Sequence, residues 1–530
     1  MKKTMKQHSF ASRLKSLALV FGIALAFASC ANEDIAQNPN GTDNNKNFTI
    51  FSTGDPATRT SMESNGAFYW EAGDKIWVKD DNGTWRQSRN APTEKTASFK
   101  FEVPGKFTKT STYKVYYPGK NGNQNQVTIA ANQSQAEPNT TAHFGTSGDC
   151  GMADAAWSNT KNGFAFTLDH KAAYLLFLPR TSNTILHDCY LTKVEVNSDN
   201  DITSTYTLDP TTGELTGTGT GKKIIVSTGG SGTYANGFPL TNNATSAATN
   251  GAYMVIKPGT HTLKIRYWVK DIVTGTEGTI TKTLSSKNFE QNKYYNITAN
   301  LDVRDYDGNH YYMWDAQQQY WFDYEWTKHL PGDTGQPTLK SSGGSPNYAQ
   351  SNSDVSRWYH EGGGTGRFDA TRSSFNNVPN VNELSWYCMY GDPRWDGDEL
   401  WTTMGHLYKG GMWFKKKSVL QAENHYDTEK SADNITDERT TARFYNNTNS
   451  SIYNSGLPSA ADVGNYFYLP ALGYYESGRL FDIGSRGYYW TSNAYRYYNT
   501  RAYYLCFRES EVYVRSEYRS NGFRTEPSFK

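Results

Sequence analysis

Between residues 47 and 302 the apolar positions recur every second residue. Phe48 and Ile50 alternate with polar neighbours, and so do Phe99, Phe101 and Val103; Leu263, Ile265, Tyr267 and Val269; and Tyr295, Ile297, Ala299 and Leu301. A strand turns successive side chains to opposite faces, so this pattern, cut by Gly, Pro, Asn and Asp, predicts half-buried antiparallel strands. No apolar stripe of helical period and useful length interrupts them. Short strands at this spacing predict β-sandwiches, and a seam near Gly163 divides the stretch into two domains, 47–163 and 164–302. After residue 303 the pattern changes. "YYMWDAQQQYWFDYEW", residues 311 to 326, is dense in Trp and Tyr, and residues 340 to 375 are rich in Gly and Ser, a surface excursion. "VPNVNELSWYCMYGD" predicts a helix: Pro379 and Asn380 punctuate its start, Gly391 its stop, and Leu384, Tyr387 and Cys388 share one face. The expected fold is a mainly β region of two antiparallel β-sandwich domains followed by an α+β domain, 303–530. "DVRDYDGN", residues 302 to 309, reads as the linker between them.

The first residues read as a targeting segment. Lys2, Lys3, Lys6, Arg13 and Lys15 precede an apolar run, Leu17 to Phe27, too short to span a bilayer comfortably. The run ends in Phe27-Ala28-Ser29-Cys30, which resembles a bacterial lipoprotein signal with Cys30 as the lipidated residue, although Phe27 replaces the usual aliphatic residue. Asn32, Glu33 and Asp34 follow and resemble the surface-export signal of Bacteroidetes lipoproteins. On this reading residues 1–29 are the signal, 30–46 form a lipidated tether, and the chain is anchored in the outer membrane.

Composition narrows the chemistry. Lys plus Arg number 53 and Asp plus Glu 52, a balance that indicates no nucleic-acid partner. Aromatic residues make up 15% of the 530-residue chain, and Tyr alone contributes 38, a composition suited to strands and binding surfaces. Beyond Cys30 the cysteines are Cys150, Cys189, Cys388 and Cys506; disulfides within halves of an exported chain and buried free thiols both fit. No Cys-x-x-Cys spacing indicates zinc. The ten histidines are dispersed, none beside a nucleophile motif, and His170 reads as a structural residue at a strand end. Asp392, Asp396, Asp398 and Glu399 offer oxygen ligands for calcium, but their spacing is not an EF-hand loop, and a solvated, capped turn is the plainer reading. No catalytic residue, cofactor or metal is assigned.

Two resemblances add to this reading. "TRTSMESNGAFYWEAGDKIWV", residues 58 to 78, and "FTLDHKAAYLLF", residues 166 to 177, resemble the fimbrillin family of Bacteroidetes over roughly 47–302. Near the end, Leu469, Pro470, Ala471, Gly473 and Tyr474; Tyr489, Trp490, Thr491 and Ser492; Ala502, Leu505 and Phe507; and Arg519, Gly522 and Phe523 follow the order of the Fibrobacter major paralogous domain. That module is C-type-lectin-like and is related in fold to formylglycine-generating enzymes. The fimbrillin resemblance implies cleavage after Arg59, assembly with other fimbrial subunits by donor-strand insertion, and a location on the fimbrium and cell surface. With "EPSFK" closing a globular head, the chain is expected to accept a strand but not donate one, which places it at a pilus tip. Formylglycine chemistry needs a reactive thiol beside a base or metal ligands, a role not expected of Cys388 or Cys506.

The stretch 487 to 523 carries the expected ligand site. Between its apolar framework positions lie Tyr495, Arg496, Tyr497, Tyr498, Asn499 and Arg501, then Arg508, Ser510, Glu511, Tyr513, Arg515, Ser516, Tyr518 and Asn521. Tyr and Arg give large contact area and adaptable hydrogen bonding at modest entropic cost. The division resembles the variable proteins of diversity-generating retroelements, although Glu509, Glu511 and Glu517 depart from their codon pattern. A Tyr-rich edge of an ordinary β-module is the plainer alternative. The expected function is a surface adhesin, a fimbrial tip subunit, binding an unknown glycan or protein ligand. The alternatives are a glycan-processing enzyme and a glycan-binding lipoprotein of an uptake system.

Overall fold

The computed structural model describes residues 48–53, 61–62, 68–325, 345–359, 368–454, 457–459, 461–525 and 529. Cys30 and Arg59 lie outside them. The described chain is mainly β.

Strand Thr49–Thr53 lies inside the first sheet, parallel to Gly163–Phe166 and antiparallel to Lys100–Val103. Its core residue is Phe51, fully buried and stacked on Phe164 with ring centroids 5.0 Å apart. The alternation Phe48–Ile50 therefore marks the less buried face, one residue out of register with the core; Ile50 lies against Gly163 instead. Trp70, Ile76, Val78, Phe101, Val103 and Val115 complete this core.

The second core sits between two sheets. One has the order Glu277–Phe289, Gly259–Lys270, Tyr190–Ser198, Lys223–Thr228, Asn132–Gln135; the other is Ala252–Ile256, Ala173–Arg180, Tyr294–Asn300. Leu263, Ile265, Tyr267 and Val269 are buried here, as the alternation predicts. Gly163–Phe166 pairs within the first sheet, whereas Gln126–Thr128 and Asn132–Gln135, earlier in the chain, pair with strands of the second region. Gly151–Ser158 serves both cores: Met152 faces the second, Ala153 and Ala155 the first.

The C-terminal region has a four-stranded sheet, Arg304–Tyr306, Arg394–Thr403, His406–Lys415, Tyr466–Pro470. Its six-stranded sheet has the order Tyr311–Tyr312, Phe523–Arg524, Arg486–Ala494, Arg501–Arg508, Glu511–Tyr518, Tyr445–Asn447. Helix Val381–Tyr390 stands where the punctuation predicts it. Asn380 accepts from the Glu383 amide and Glu383 from the Asn380 amide, a full capping box. The stretch 302–309 is more than a linker. Asp302 accepts hydrogen bonds from Thr181, Ser182 and Asn183, which hold its carboxyl far below the usual range, and Arg304–Tyr306 pairs parallel to Trp401–Thr403. Leu400 and Leu407 enter the second core, and the Asp271 carboxylate accepts from the Leu407 amide at 3.0 Å and meets the His406 ring at 3.1 Å. The space is tight: a Cβ on Gly278 would stand 2.6 Å from Leu400 Cδ2.

Candidate binding face

The antiparallel strands Arg486–Ala494, Arg501–Arg508 and Glu511–Tyr518 form the middle of the six-stranded sheet. Their pleat serves two cores. Tyr489, Tyr503, Leu505, Phe507, Val512 and Val514 pack toward helix Val381–Tyr390. Tyr488, Trp490, Tyr504, Cys506 and Tyr513 pack on the other side with Trp314, Phe375 and Phe523. The framework expected from the sequence is buried apart from Tyr474 and Ser492, which are half-buried: Leu469, Ala471, Trp490, Thr491, Ala502, Leu505, Phe507, Arg519 and Phe523 are each no more than 1% exposed. Trp490 stacks on Phe523 at 4.3 Å and its Nε1 donates to the Tyr312 carbonyl at 2.8 Å. Gly473 is left-handed, and a Cβ there would meet the Phe481 carbonyl oxygen at 2.0 Å, so only glycine fits.

The expected ligand residues separate into three groups. Tyr497, Tyr498, Asn499, Ser510, Arg515 and Tyr518 are exposed, with Tyr498 at 60%. Tyr495, Arg496, Arg501, Arg508 and Glu511 are half-buried. Tyr513, Ser516 and Asn521 are buried, which removes them from the candidate face. Tyr513 packs edge-on against Tyr504, part of an aromatic layer completed by Trp314 and Phe375, residues far away in sequence. Arg508 pairs with Glu511 at 2.8 Å.

Arg508, Ser510 and Glu511 stand at the far end of the sheet, beside Arg486; the others gather as a cluster at the near end, around the turn between Arg486–Ala494 and Arg501–Arg508. Tyr495 anchors it, edge-on to Tyr503 at 5.3 Å and stacked with Tyr498 at 5.9 Å. Burial raises the Tyr495 hydroxyl above its ordinary pKa. Phe444, 50% exposed, stacks on Tyr495 at 5.8 Å and extends the cluster. The sequence reading missed Phe444; the available signal was an apolar residue directly before "YNN", the strand that pairs with Val512–Val514. Arg496 lies over the Tyr497 ring at 5.2 Å, and Arg501 over the Tyr518 ring at 4.6 Å. Hydrogen bonding with Tyr518 is the main reason that the Arg501 pKa is raised. Alternation places Arg501 and Tyr518 on the same side of the sheet as Leu505 and Val514, and Arg515 on the opposite side, over Tyr513 at 4.5 Å.

A buried arginine holds this turn. The Arg519 amide donates to the Thr500 carbonyl at 2.9 Å and its Nε to the Arg501 carbonyl at 3.0 Å. Its guanidinium lies over Trp314 at 4.6 Å and Phe368 at 4.7 Å. Desolvation lowers its pKa to about 10, so it remains a cation at neutral pH.

The other candidate chemistry is absorbed by structure. The four cysteines among the described residues are free and buried; burial pushes the Cys506 thiol up to about 12 and raises Cys388 further, and the two occupy cores on opposite sides of the sheet. Asp392 accepts from Arg394 at 2.9 Å and from the Tyr466 hydroxyl at 2.6 Å. Asp396 accepts from the amides of Asp398 and Glu399 and from Trp413 Nε1. Burial raises the Glu399 carboxyl. His170 is buried with its Nδ1 2.9 Å from Asp149 Oδ1, which also accepts from the Tyr174 hydroxyl.

No protein-family model and no curated protein matches the chain. Among solved structures it is similar to a fimbrial protein from Bacteroides ovatus, at 12% identity and a TM-score of 0.26, over 90% of this chain and 98% of that one. It is also similar to a fimbrial anchor protein from Porphyromonas gingivalis, at 13% identity and a TM-score of 0.22, over 45% and 83%. A candidate cell adhesion protein from Bacteroides ovatus aligns at 17% identity and a TM-score of 0.29, over 47% and 92%.

Proposed function

We propose that the chain is a cell-surface adhesin whose C-terminal region binds its ligand through the Tyr- and Arg-rich end of the six-stranded sheet. One observation carries the reading: Phe444, Tyr497, Tyr498 and Tyr518 are each at least half exposed, yet they ride on a framework that is almost wholly buried. Large rings held at a rigid surface supply contact area with little further ordering. Tyr498→Ala and Tyr518→Ala should reduce retention of the full chain on host-cell or glycan-coated surfaces while leaving its melt unchanged.

The fimbrial part of the proposal draws on the first sheet. Thr49–Thr53 fills the place between Lys100–Val103 and Gly163–Phe166. Cleavage after Arg59 would release it and leave a slot, lined by Phe101 and Phe164, for a neighbour's extended segment. Phe523–Arg524 pairs with Tyr311–Tyr312 inside the head, and Phe529 is buried there. Together with lipidation at Cys30, this slot and the exposed aromatic face support a ligand-presenting fimbrial subunit at the cell surface.

A further inference from the structure

We infer that this face takes an acidic polysaccharide, one whose sugar units carry carboxylate or sulfate, and that Arg496 and Arg501 select it. The inference rests on the binding-face reading above and narrows the ligand to one chemical class.

The charge pattern is the starting point. In the same region Arg394 pairs with Asp392, Arg439 with Asp437 and Glu429, Arg443 with Asp433, Arg486 with Asp482 and Arg508 with Glu511. Arg496 and Arg501, like Arg515 on the opposite side of the sheet, lie over a tyrosine ring and meet no carboxylate at ion-pair distance among the described residues. Arg501 Nη1 donates to the Ser516 carbonyl at 3.3 Å; its remaining N–H groups and those of Arg496 are the donors for a carboxylate or sulfate, which a guanidinium fork matches with parallel hydrogen bonds. The exposed rings supply the second chemistry. One face of Tyr498 is stacked on Tyr495, and its 60% exposure leaves the other open to the C–H face of a sugar. An acidic polysaccharide offers both a C–H face and an anion in each repeat. A neutral polysaccharide would desolvate the two guanidinium groups without pairing them. An acidic peptide brings the anion but not the flat C–H face.

Arg515 provides an internal control, since it carries the same charge on the opposite side of the sheet. The test is affinity electrophoresis of the purified full chain through gels containing polygalacturonate, dextran sulfate, neutral dextran or poly-glutamate. Retardation by polygalacturonate or dextran sulfate, and not by dextran, is expected. The pair Arg496→Gln and Arg501→Gln should weaken it at least about tenfold, a change expected for lost charge-assisted bidentate bonds. Arg515→Gln should leave it nearly unchanged, and thermal melts establish that each variant is folded. Equal retardation by neutral dextran, or equal weakening by Arg515→Gln, would overturn the selection of an anion at this site. Preference for poly-glutamate over both acidic polysaccharides would overturn it in favour of an acidic protein. In either case the effect of Tyr498→Ala on surface retention still decides the binding-face reading separately. Absence of retardation by any acidic polysaccharide, with retention still dependent on Tyr498, would overturn the inference alone.

Discussion

Replacing Trp490 by Ala tests whether the framework and the displayed residues are separate. Trp490 is 1% exposed, stacked on Phe523 and hydrogen-bonded to the Tyr312 carbonyl. Truncation of a buried Trp costs about 3–5 kcal/mol in lost transfer energy and residual cavity. The Tyr312 carbonyl, left without its donor, adds about 1 kcal/mol or more. For a cooperative unit of this size a kilocalorie moves the midpoint by about 2–4 °C, so the total of about 4–6 kcal/mol corresponds to a fall of roughly 10–20 °C. Trp490→Phe keeps a ring against Phe523 and loses the hydrogen bond, so it should fall between the two. Calorimetry of the full chain reads the shift, and near-ultraviolet circular dichroism reports whether the aromatic layer is lost. Tyr513→Ala belongs with Trp490→Ala, since Tyr513 is in the same buried layer. Tyr498→Ala should move the midpoint little, within the roughly 0.5 kcal/mol usual for exposed positions. If Trp490→Ala and Tyr513→Ala melt with the wild type, or Tyr498→Ala melts as early as they do, the division of the sheet into framework and display is wrong.

Further outcomes follow from other sites. Glu438 is fully buried, neither of its carboxylate oxygens has a hydrogen-bond partner among the described residues, and burial lifts its pKa to about 9. The folded state therefore keeps a proton that the unfolded state loses near pH 4.3, and stability should fall as pH rises from there to about 9. Melts of Glu438→Gln against wild type should coincide near pH 4 and diverge in favour of the variant by pH 8; parallel curves would contradict the buried neutral acid. The thiols of Cys150, Cys189, Cys388 and Cys506 should resist maleimide at pH 7 to 8 until denaturant is added, because burial disfavours every thiolate. Cys30→Ala should shift the chain out of the membrane fraction. N-terminal sequencing of shed fimbrial material should find chains beginning at Thr60, and chains beginning only at Cys30 would remove Arg59 as the processing site.

Much of the architecture was legible where local signals decide it. Helix Val381–Tyr390 announces itself through its cap and stop, and Leu263 to Val269 through a clean period of two with one face buried. Thr49–Thr53 was misread by one residue because an interior strand covered on both sides does not need a polar face, so Ser52 and Thr53 are buried beside Phe51. Gly151–Ser158, the strand shared by two cores, produces no break in composition. At the face itself, the framework positions were legible from their order. The burial of Tyr513 was not, because tyrosine is apolar over most of its surface and the layer above it comes from Trp314 and Phe375. The same limitation hid Phe444, which joins the cluster only through strand pairing.

The most direct test of the binding face is retention of the full chain on host-cell or glycan-coated surfaces, measured for wild type, Tyr498→Ala and the Arg496→Gln/Arg501→Gln pair, each first shown to melt with the wild type. An anchoring side chain in a binding face is worth about 2 kcal/mol or more, so retention should fall at least about tenfold for these variants. Unchanged retention in folded variants would contradict the claim and move the ligand site elsewhere on the chain.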